Sequence, residues 1–144
     1  MKKYLWLIFG LGAVALLIIF FIPKEKQEQE FKTLEIGTVK VRVEVADTEA
    51  KQELGLSYRP SLPADQGMIF TFDKSGNYGF WMKGMNFPLD FIYLNNSRVV
   101  EVKENVSADN LTPFYPAEPV LAVVEVNAGF VKQNNVAVGQ MAAY

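Results

Sequence analysis

The chain has no cysteine and no histidine among its 144 residues. Without cysteine it has no disulfide, no thiol nucleophile and no thiolate metal site. Without histidine it lacks the commonest general base and the commonest zinc ligand. These absences remove side chains that many enzymes use, so we favour a protein that is not an enzyme. We also expect no metal and no cofactor. The fold must be held together by packing alone.

Positive charge is also scarce once the first residues are set aside. The chain has 14 basic and 16 acidic residues, and two of the basic ones, Lys2 and Lys3, precede residue 23. The remainder has 12 basic residues against 16 acidic ones and a net charge of −4. Nucleic acid selects a basic surface, so we expect no nucleic-acid partner.

Charge is absent from one long apolar run, residues 4–22, YLWLIFGLGAVALLIIFFI. As a helix, a run of this length spans roughly 28 Å, close to the hydrocarbon thickness of a bilayer. A cleaved signal peptide is the alternative, because Ala13-Val14-Ala15 resembles a small-residue cleavage site. Cleavage there would leave the apolar N-terminus LLIIFFIP, so we favour an uncleaved transmembrane signal anchor at residues 1–23. The expected location is a single-pass membrane protein with an extracytoplasmic domain.

After the anchor we expect a charged spacer at residues 24–37 and one soluble domain at residues 38–144. The pattern in this domain is mainly that of short strands. Residues 38–46 alternate between valines and the polar side chains Lys40, Arg42 and Glu44, which predicts a half-buried strand with a solvated polar face. A short helix is predicted at residues 49–54, capped near Thr48 and ended by Gly55.

The remaining chain predicts further strands and one more helix. We expect a hairpin in which residues 78–83 return from a turn at DKSGN, strands at residues 89–94, 98–106 and 120–126, and a last extended piece containing Val136 and Val138. Asn127 is placed to cap a helix over residues 128–134. A thirteen-residue loop, 107–119, is long enough to suggest function. The predicted fold is a small, mainly β barrel or roll with two short helices.

Eight short blocks, in this order, resemble a known family. They are Gly55-Leu56, Arg59, Leu62-Pro63, Gly67-Met68, Phe80-Trp81-Met82-Lys83, Pro88-Leu89-Asp90, Tyr115-Pro116 and Glu125-Val126-Asn127-Ala128-Gly129. The pattern is similar to domain of unknown function 192, also called uncharacterised protein family 0127. The resemblance covers roughly residues 38–139 and implies a small β-rich domain, often exported behind a signal or anchor in bacteria. It departs from the family at Gly84-Met85, where Asn-Thr is usual, and at Gln140, where Asp is usual.

Asp90 stands at the start of an apolar run, where partial desolvation would raise the pKa of a carboxyl group unless a cation or amides compensate. Arg59 or Lys83 is a candidate partner. The functional interpretation is a carboxylate in a cleft that binds a polar ligand or transfers a proton. The structural interpretation, which we favour, is an ion pair or a cap on Asn86 and nearby amides.

Glu125 interrupts a second apolar run, and Asn127 follows on the same side of that strand. Glu125 and Asp90 would suit glycoside hydrolysis if their carboxyl groups lay roughly 5 to 9 Å apart. Trp81 and Tyr115, with Phe114, would form an aromatic platform for a ligand or else pack in the core and loops. Lys83 is expected to cover the Trp81 ring or to join the same rim.

Two functions follow from these residues. The favoured one is a non-catalytic module that binds a small polar ligand or an envelope protein through a set of polar and aromatic residues: Arg59, Trp81, Lys83, Asp90, Tyr115, Glu125 and Asn127. The alternative is a carboxylate-dependent hydrolase that acts on a cell-envelope substrate through Asp90 and Glu125. The missing histidine and cysteine make the binding module the better interpretation.

Overall fold

The computed structural model of the protein describes residues 30–144. The predicted anchor, residues 1–23, and the first part of the predicted spacer lie outside the described residues. Within residues 30–144, neither short helix has the length and apolarity that crossing a membrane requires.

The described part of the chain forms seven strands and two short helices. In chain order they are β1 Phe31–Ile36, β2 Val39–Ala46, α1 Glu49–Leu54, β3 Gln66–Gly76, β4 Leu89–Asn95, β5 Arg98–Val106, β6 Val120–Asn127, α2 Phe130–Gln133 and β7 Ala142–Ala143. All strands belong to one sheet with the order β5-β4-β6-β3-β2-β1-β7. Neighbours are antiparallel except β2 and β3, which are parallel across a connection that contains α1.

The sheet is a curled half-barrel whose two edges approach each other. Arg98, at the start of β5, forms an isolated bridge with Met141, just before β7. The Val99 amide donates to the Gln140 carbonyl at 2.9 Å, and the Gly139 amide donates to the Val99 carbonyl at 2.8 Å. The prediction of a mainly β fold with two short helices is confirmed.

Each face of the sheet is covered by its own apolar core, because the strands alternate buried side chains with a period of two. The inner core lies on the face that α2 covers and includes Val43, Ile92 and Val124. The outer core includes Phe70, Phe91 and Val123 and lies beneath the irregular segments 55–62, 78–88 and 106–114. Central strands β4 and β6 are therefore buried on both faces, which explains their nearly continuous apolar sequences.

Several local predictions are confirmed by the structure. Strands β2, β5 and β6 lie where the alternating and apolar runs placed them, and α1 has the predicted bounds. The Thr48 hydroxyl accepts from the Lys51 amide at 3.4 Å at its N-terminus. Gly55 ends the helix with φ +50, a backbone conformation that side chains disfavour.

Other local predictions are wrong. Strand β1 lies inside the predicted spacer and pairs with β2. The DKSGN segment does not form a hairpin: β3 continues to Gly76, with a register shift against β6 after Thr71. Residues 78–83 form no strand, and Phe80 alone makes a bridge, to Phe114. The predicted extended piece at Val136 and Val138 is also wrong, because the last strand is Ala142–Ala143.

Candidate functional site

Two buried carboxyl groups lie on the two central strands, on opposite faces of the sheet. In the β4–β6 pair, Asp90 is opposite Val126, and Phe91 is opposite Glu125. Successive residues of a strand point to opposite faces, and directly opposed residues point to the same face. Asp90 therefore points with Val126 into the inner core, and Glu125 points with Phe91 to the outer face.

Asp90 is fully buried, and its two carboxyl oxygens are both occupied. One oxygen accepts from the Asn105 amide at 2.8 Å, and the other accepts from the Val131 amide at 2.9 Å. The carboxylate thereby connects β5 to the first turn of α2, where helix amides lack partners. The interpretation of Asp90 as a cap on backbone amides is confirmed, but Asn86 is not its partner, because the Asn86 side chain donates to the Arg59 carbonyl. The predicted partners Arg59 and Lys83 are also wrong.

The predicted carboxylate pair does not form. Since Asp90 and Glu125 point to opposite faces of one sheet, they do not open into a common cleft. The hydrolase hypothesis, which required that pair, is therefore contradicted by the strand register.

Glu125 is only 6% exposed, and its carboxyl lies at the floor of a cleft on the outer face. Burial raises its pKa from 4.5 to about 8, and the positive charge of Arg59 lowers it in part. No hydrogen bond from the described residues contributes to this pKa. At neutral pH Glu125 is therefore mostly a neutral acid, able both to donate and to accept a hydrogen bond.

Arg59 is the cation beside this floor, and it is held by a second acid. Its guanidinium makes two parallel bonds to the Glu44 carboxylate, at 2.5 and 2.8 Å. The pairing with Glu44 raises the pKa of Arg59. The Asn86 side chain donates to the Arg59 carbonyl at 2.8 Å, which fixes the backbone of this segment. Glu44 and Glu125 are brought near each other because both are opposite Met68, from either side of β3.

The cleft has a volume of about 260 Å³ and lies between α1 and the segment 78–81. Five aromatic side chains line it, together with polar residues of α1. Phe72 and Tyr78 stack with their ring centroids 3.5 Å apart, and Phe70 meets Phe80 edge to face at 5.2 Å. Trp81 is 51% exposed at the rim. A concave, aromatic site with one buried polar group has the composition of a small-molecule site.

The remaining predicted site residues lie around this cleft or away from it. Trp81 lines it, whereas Lys83 lines a neighbouring hollow with Tyr58 and Trp81. Tyr115 is exposed and packs over Gly79, where an added side-chain carbon would lie 2.7 Å from its ring. Asn127 does not cap α2, which begins after Gly129 without a side-chain cap. Its amide instead donates to the Leu62 carbonyl at 2.9 Å.

Sequence reasoning missed some members of the site. Glu44 alternates with valines exactly as Lys40 and Arg42 do, so nothing in the pattern distinguishes it, yet it is buried under Arg59. Phe72 and Tyr78 lie in segments that the sequence predicts as strands, and nothing in that pattern indicates that they line a cleft. Glu125, which the sequence marks as an acid inside an apolar run, lines the cleft.

The cleft shows no feature of a metal centre. Within residues 30–144, no three or more acidic side chains are grouped so that they could hold a metal ion.

The described residues form a small half-barrel domain with a cleft, partly walled by aromatic side chains, on the outer face of its sheet. The chain belongs to the DUF192 family, described as "Uncharacterized ACR", whose profile matches residues 32–143. The family resemblance seen in the sequence is thereby confirmed. A comparison with curated proteins gives no match.

Solved structures with this fold include two that are 28% identical to this chain. A protein of unknown function from Novosphingobium aromaticivorans DSM 12444 is 28% identical, with a TM-score of 0.77 over 83% of this chain and 89% of that one. A protein described as a candidate transcription regulator from Sinorhizobium meliloti 1021 is also 28% identical, with a TM-score of 0.76 over 80% of this chain and 94% of that one.

Proposed function

We propose that this protein is a non-catalytic binding module, anchored in the membrane by residues 1–23 with its domain outside the cytoplasm. The ligand site is the cleft over Glu125. The apolar run at residues 4–22 supports the anchor, because its length matches a bilayer and it carries no charge. The domain that follows has its own sheet, with an apolar core on each face.

The observation that carries the binding function is the state of Glu125. Burying an ionisable group without partners costs free energy, and such groups are concentrated at functional sites. Glu125 has this property at the floor of an open aromatic cleft, whereas Asp90 has both oxygens paired in a closed core. A ligand that bonds to the Glu125 carboxyl would supply the partner that the fold does not.

Catalysis is not part of this proposal. Glu44, which lies opposite the same residue of β3 as Glu125, is bound by Arg59 and does not line the cleft. The chain also offers no histidine or cysteine to share proton transfer or nucleophilic attack. A single buried acid is sufficient for recognition.

The description of the Sinorhizobium relative gives that protein a different role, transcription regulation. We do not propose nucleic-acid binding for this chain, because the part after residue 23 has a net charge of −4. Phosphate contacts dominate nucleic-acid affinity and require a basic face.

The binding function is tested with the full chain in a neutral detergent, by thermal unfolding against a panel of small polar compounds. A compound that binds the folded state raises the unfolding temperature by mass action. We expect that rise to be lost in Trp81→Ala and kept in the matched control Tyr144→Ala, since both rings are about half exposed but only Trp81 lines the cleft. Equal shifts in both variants, or no shift with any compound, would refute the proposed site.

The topology is tested separately, with the natural absence of cysteine as the background. Glu118→Cys introduces one thiol in the exposed loop between β5 and β6. We expect a membrane-impermeant maleimide to label it while the cytoplasmic membrane is intact. Labelling that requires disruption of that membrane would place the domain in the cytoplasm.

A further inference from the structure

The walls of the cleft present several aromatic rings to one small space. They include the stacked pair Phe72 and Tyr78, the edge-to-face pair Phe70 and Phe80, and the half-exposed Trp81 at the rim. The face of an aromatic ring carries negative partial charge and attracts a cation within about 6 Å, most strongly for tryptophan. Ammonium groups are commonly recognised by such groups of rings.

The charged side chains that line the cleft all have the same sign. Glu49 and Glu53 of α1 stand on one side, Glu125 lies at the floor, and among residues 30–144 no lysine or arginine lines it. Arg59 is the nearest cation that acts on Glu125, and its guanidinium is already engaged by Glu44. An anionic ligand would meet the acidic side chains of Glu49 and Glu53, whereas Arg59 is already engaged by Glu44, so the electrostatics favour a cation.

The burial of Glu125 also favours a cationic ligand, independently of Glu49 and Glu53. It is more than nine-tenths buried, it lines the cleft, and it lacks a hydrogen-bonding partner among residues 30–144. A ligand cation beside it would provide the opposite charge that stabilises the carboxylate form.

We propose that the cleft, as the binding site proposed above, takes a small organic cation, with its ammonium group against the aromatic walls and the Glu125 carboxyl as its counter-ion. This inference rests on the proposed binding function and specifies its ligand class. The cleft volume of about 260 Å³ lies below the usual range for drug-sized ligands, which limits the ligand to a small compound.

Binding is coupled to loss of one proton. The neutral carboxylic acid of Glu125 gives its proton to the solvent, and the carboxylate that remains pairs with the ammonium group of the ligand. Three other titratable groups line the cleft: Glu49, Glu53 and Tyr78. Arg59 and Tyr93 interact electrostatically with Glu125, and Glu44 pairs with Arg59. Only Glu125 combines a place at the floor with a pKa near neutrality, about 8.

Small organic ammonium cations occur free in solution, and the same ammonium group is also part of some lipid headgroups. Glu49 and Glu53 at the cleft would repel the phosphate that adjoins the ammonium in a headgroup. We therefore infer the free cation and include phosphocholine as the arm that separates the two sources.

The test measures affinity by titration calorimetry on the full chain in a neutral detergent. The probes are choline, its uncharged carbon isostere 3,3-dimethylbutan-1-ol, and phosphocholine. We expect choline to bind at least about tenfold more tightly than the isostere, since only the cation gains the ring and carboxylate interactions. Phosphocholine is expected to bind more weakly than choline.

Two variants locate the interaction. Trp81→Ala is expected to weaken choline binding about tenfold, and Glu125→Gln, which keeps the side-chain shape, by a similar factor or more. Tyr144→Ala and the exposed Glu104→Gln are the matched controls, and both should bind choline as the wild type does.

Proton release gives a readout that loss of structure would not imitate. Titrations at pH 7 in two buffers of different ionisation enthalpy should show release of up to one proton on choline binding to the wild type. Glu125→Gln should show none. Choline affinity should rise from pH 6 to pH 9, by at most tenfold per unit, in the wild type and stay flat in Glu125→Gln.

The outcomes separate this inference from the function on which it rests. If choline fails to bind, or the uncharged isostere binds as tightly, the proposed cationic ligand is wrong. In that case a neutral compound that still depends on Trp81 leaves the binding module intact. If phosphocholine binds more tightly than choline, a lipid headgroup replaces the free cation. If no probe or panel compound depends on Trp81 or Glu125, both proposals fail.

Discussion

Asp90 and Glu125 are both buried acids on adjacent central strands, yet the fold treats them in opposite ways. Asp90 points into the inner core, where the amides of Asn105 and Val131 occupy both of its oxygens. Glu125 points to the outer face, where burial raises its pKa to about 8 and an open cleft lies above it. The comparison shows that burial alone does not identify a site; the absence of partners beside a cavity does.

Among substitutions compared at one pH, the largest effect that would test this comparison is expected at Asp90. Asp90→Asn places an amide donor against one of two buried backbone donors and should lower the free energy of unfolding by about 3 kcal/mol. Urea unfolding of the full chain in detergent measures it, with the exposed Asp109→Asn as control. The affinity of the folded fraction for a cleft ligand should stay unchanged. An unaltered stability would remove the structural role assigned to Asp90.

A smaller loss is expected at the ion pair beside the cleft. Arg59→Met leaves Glu44 buried without its cation and should cost about 2 kcal/mol of unfolding free energy, less than for a fully buried pair because Arg59 is partly exposed. The exposed Arg42→Met is the matched control. Adding Glu44→Gln should recover part of the loss, since it removes the unpaired charge. If the double variant is less stable than Arg59→Met, the two side chains do not act as a pair.

The pH dependence of stability separates the two acids further. The folded-state pKa of Glu125 is raised above its unfolded value, so the folded state binds the extra proton between pH 4.5 and about 8. Stability from this group is therefore full below pH 4.5, falls as pH rises, by at most about 1.4 kcal/mol per unit, and is constant above pH 8. Glu125→Gln should abolish this component. Chemical unfolding across pH 4 to 9 measures it, and an identical slope in the variant would contradict the assignment.

The smallest effect is expected at Tyr93, on the same outer face as Glu125. Its hydroxyl is buried, and within residues 30–144 it has no hydrogen-bond partner. Burial raises the pKa of Tyr93, with the Glu101 and Glu125 charges adding to the shift. Tyr93→Phe should raise the unfolding free energy by about 1 kcal/mol, because it removes an unpaired polar group. A loss of stability in urea unfolding would instead mean that the hydroxyl is paired in solution.

Much of the fold followed from local patterns. Alternation predicted β2, the capping residue and glycine predicted α1, and an uninterrupted apolar run predicted β6 as a central strand. These signals are local because each depends on period, capping or burial within a few residues. The family was also predictable, since its short blocks are spread over the whole domain.

The failures concern long-range pairing. A hairpin after Phe72 was the simplest local solution, but β3 instead pairs with β6, about fifty residues away, and continues past the expected turn with a register shift. The charged segment that contains β1 does not predict a strand from its sequence. Its backbone hydrogen bonds to β2 and β7 stabilise it as one. A local sequence pattern does not show which distant segment a strand will pair with.

The sequence by itself determined the chemistry available to this protein: no thiol, no imidazole, an acidic domain, a long uncharged apolar run and two acids within apolar strands. Only the tertiary structure decided which of those acids is a structural cap and which faces a ligand-sized cleft. The reason is that side chains alternate along a strand, so the register of β4 against β6 sends Asp90 to one face and Glu125 to the other. Register is set by the packing of the whole sheet, and no residue type encodes it.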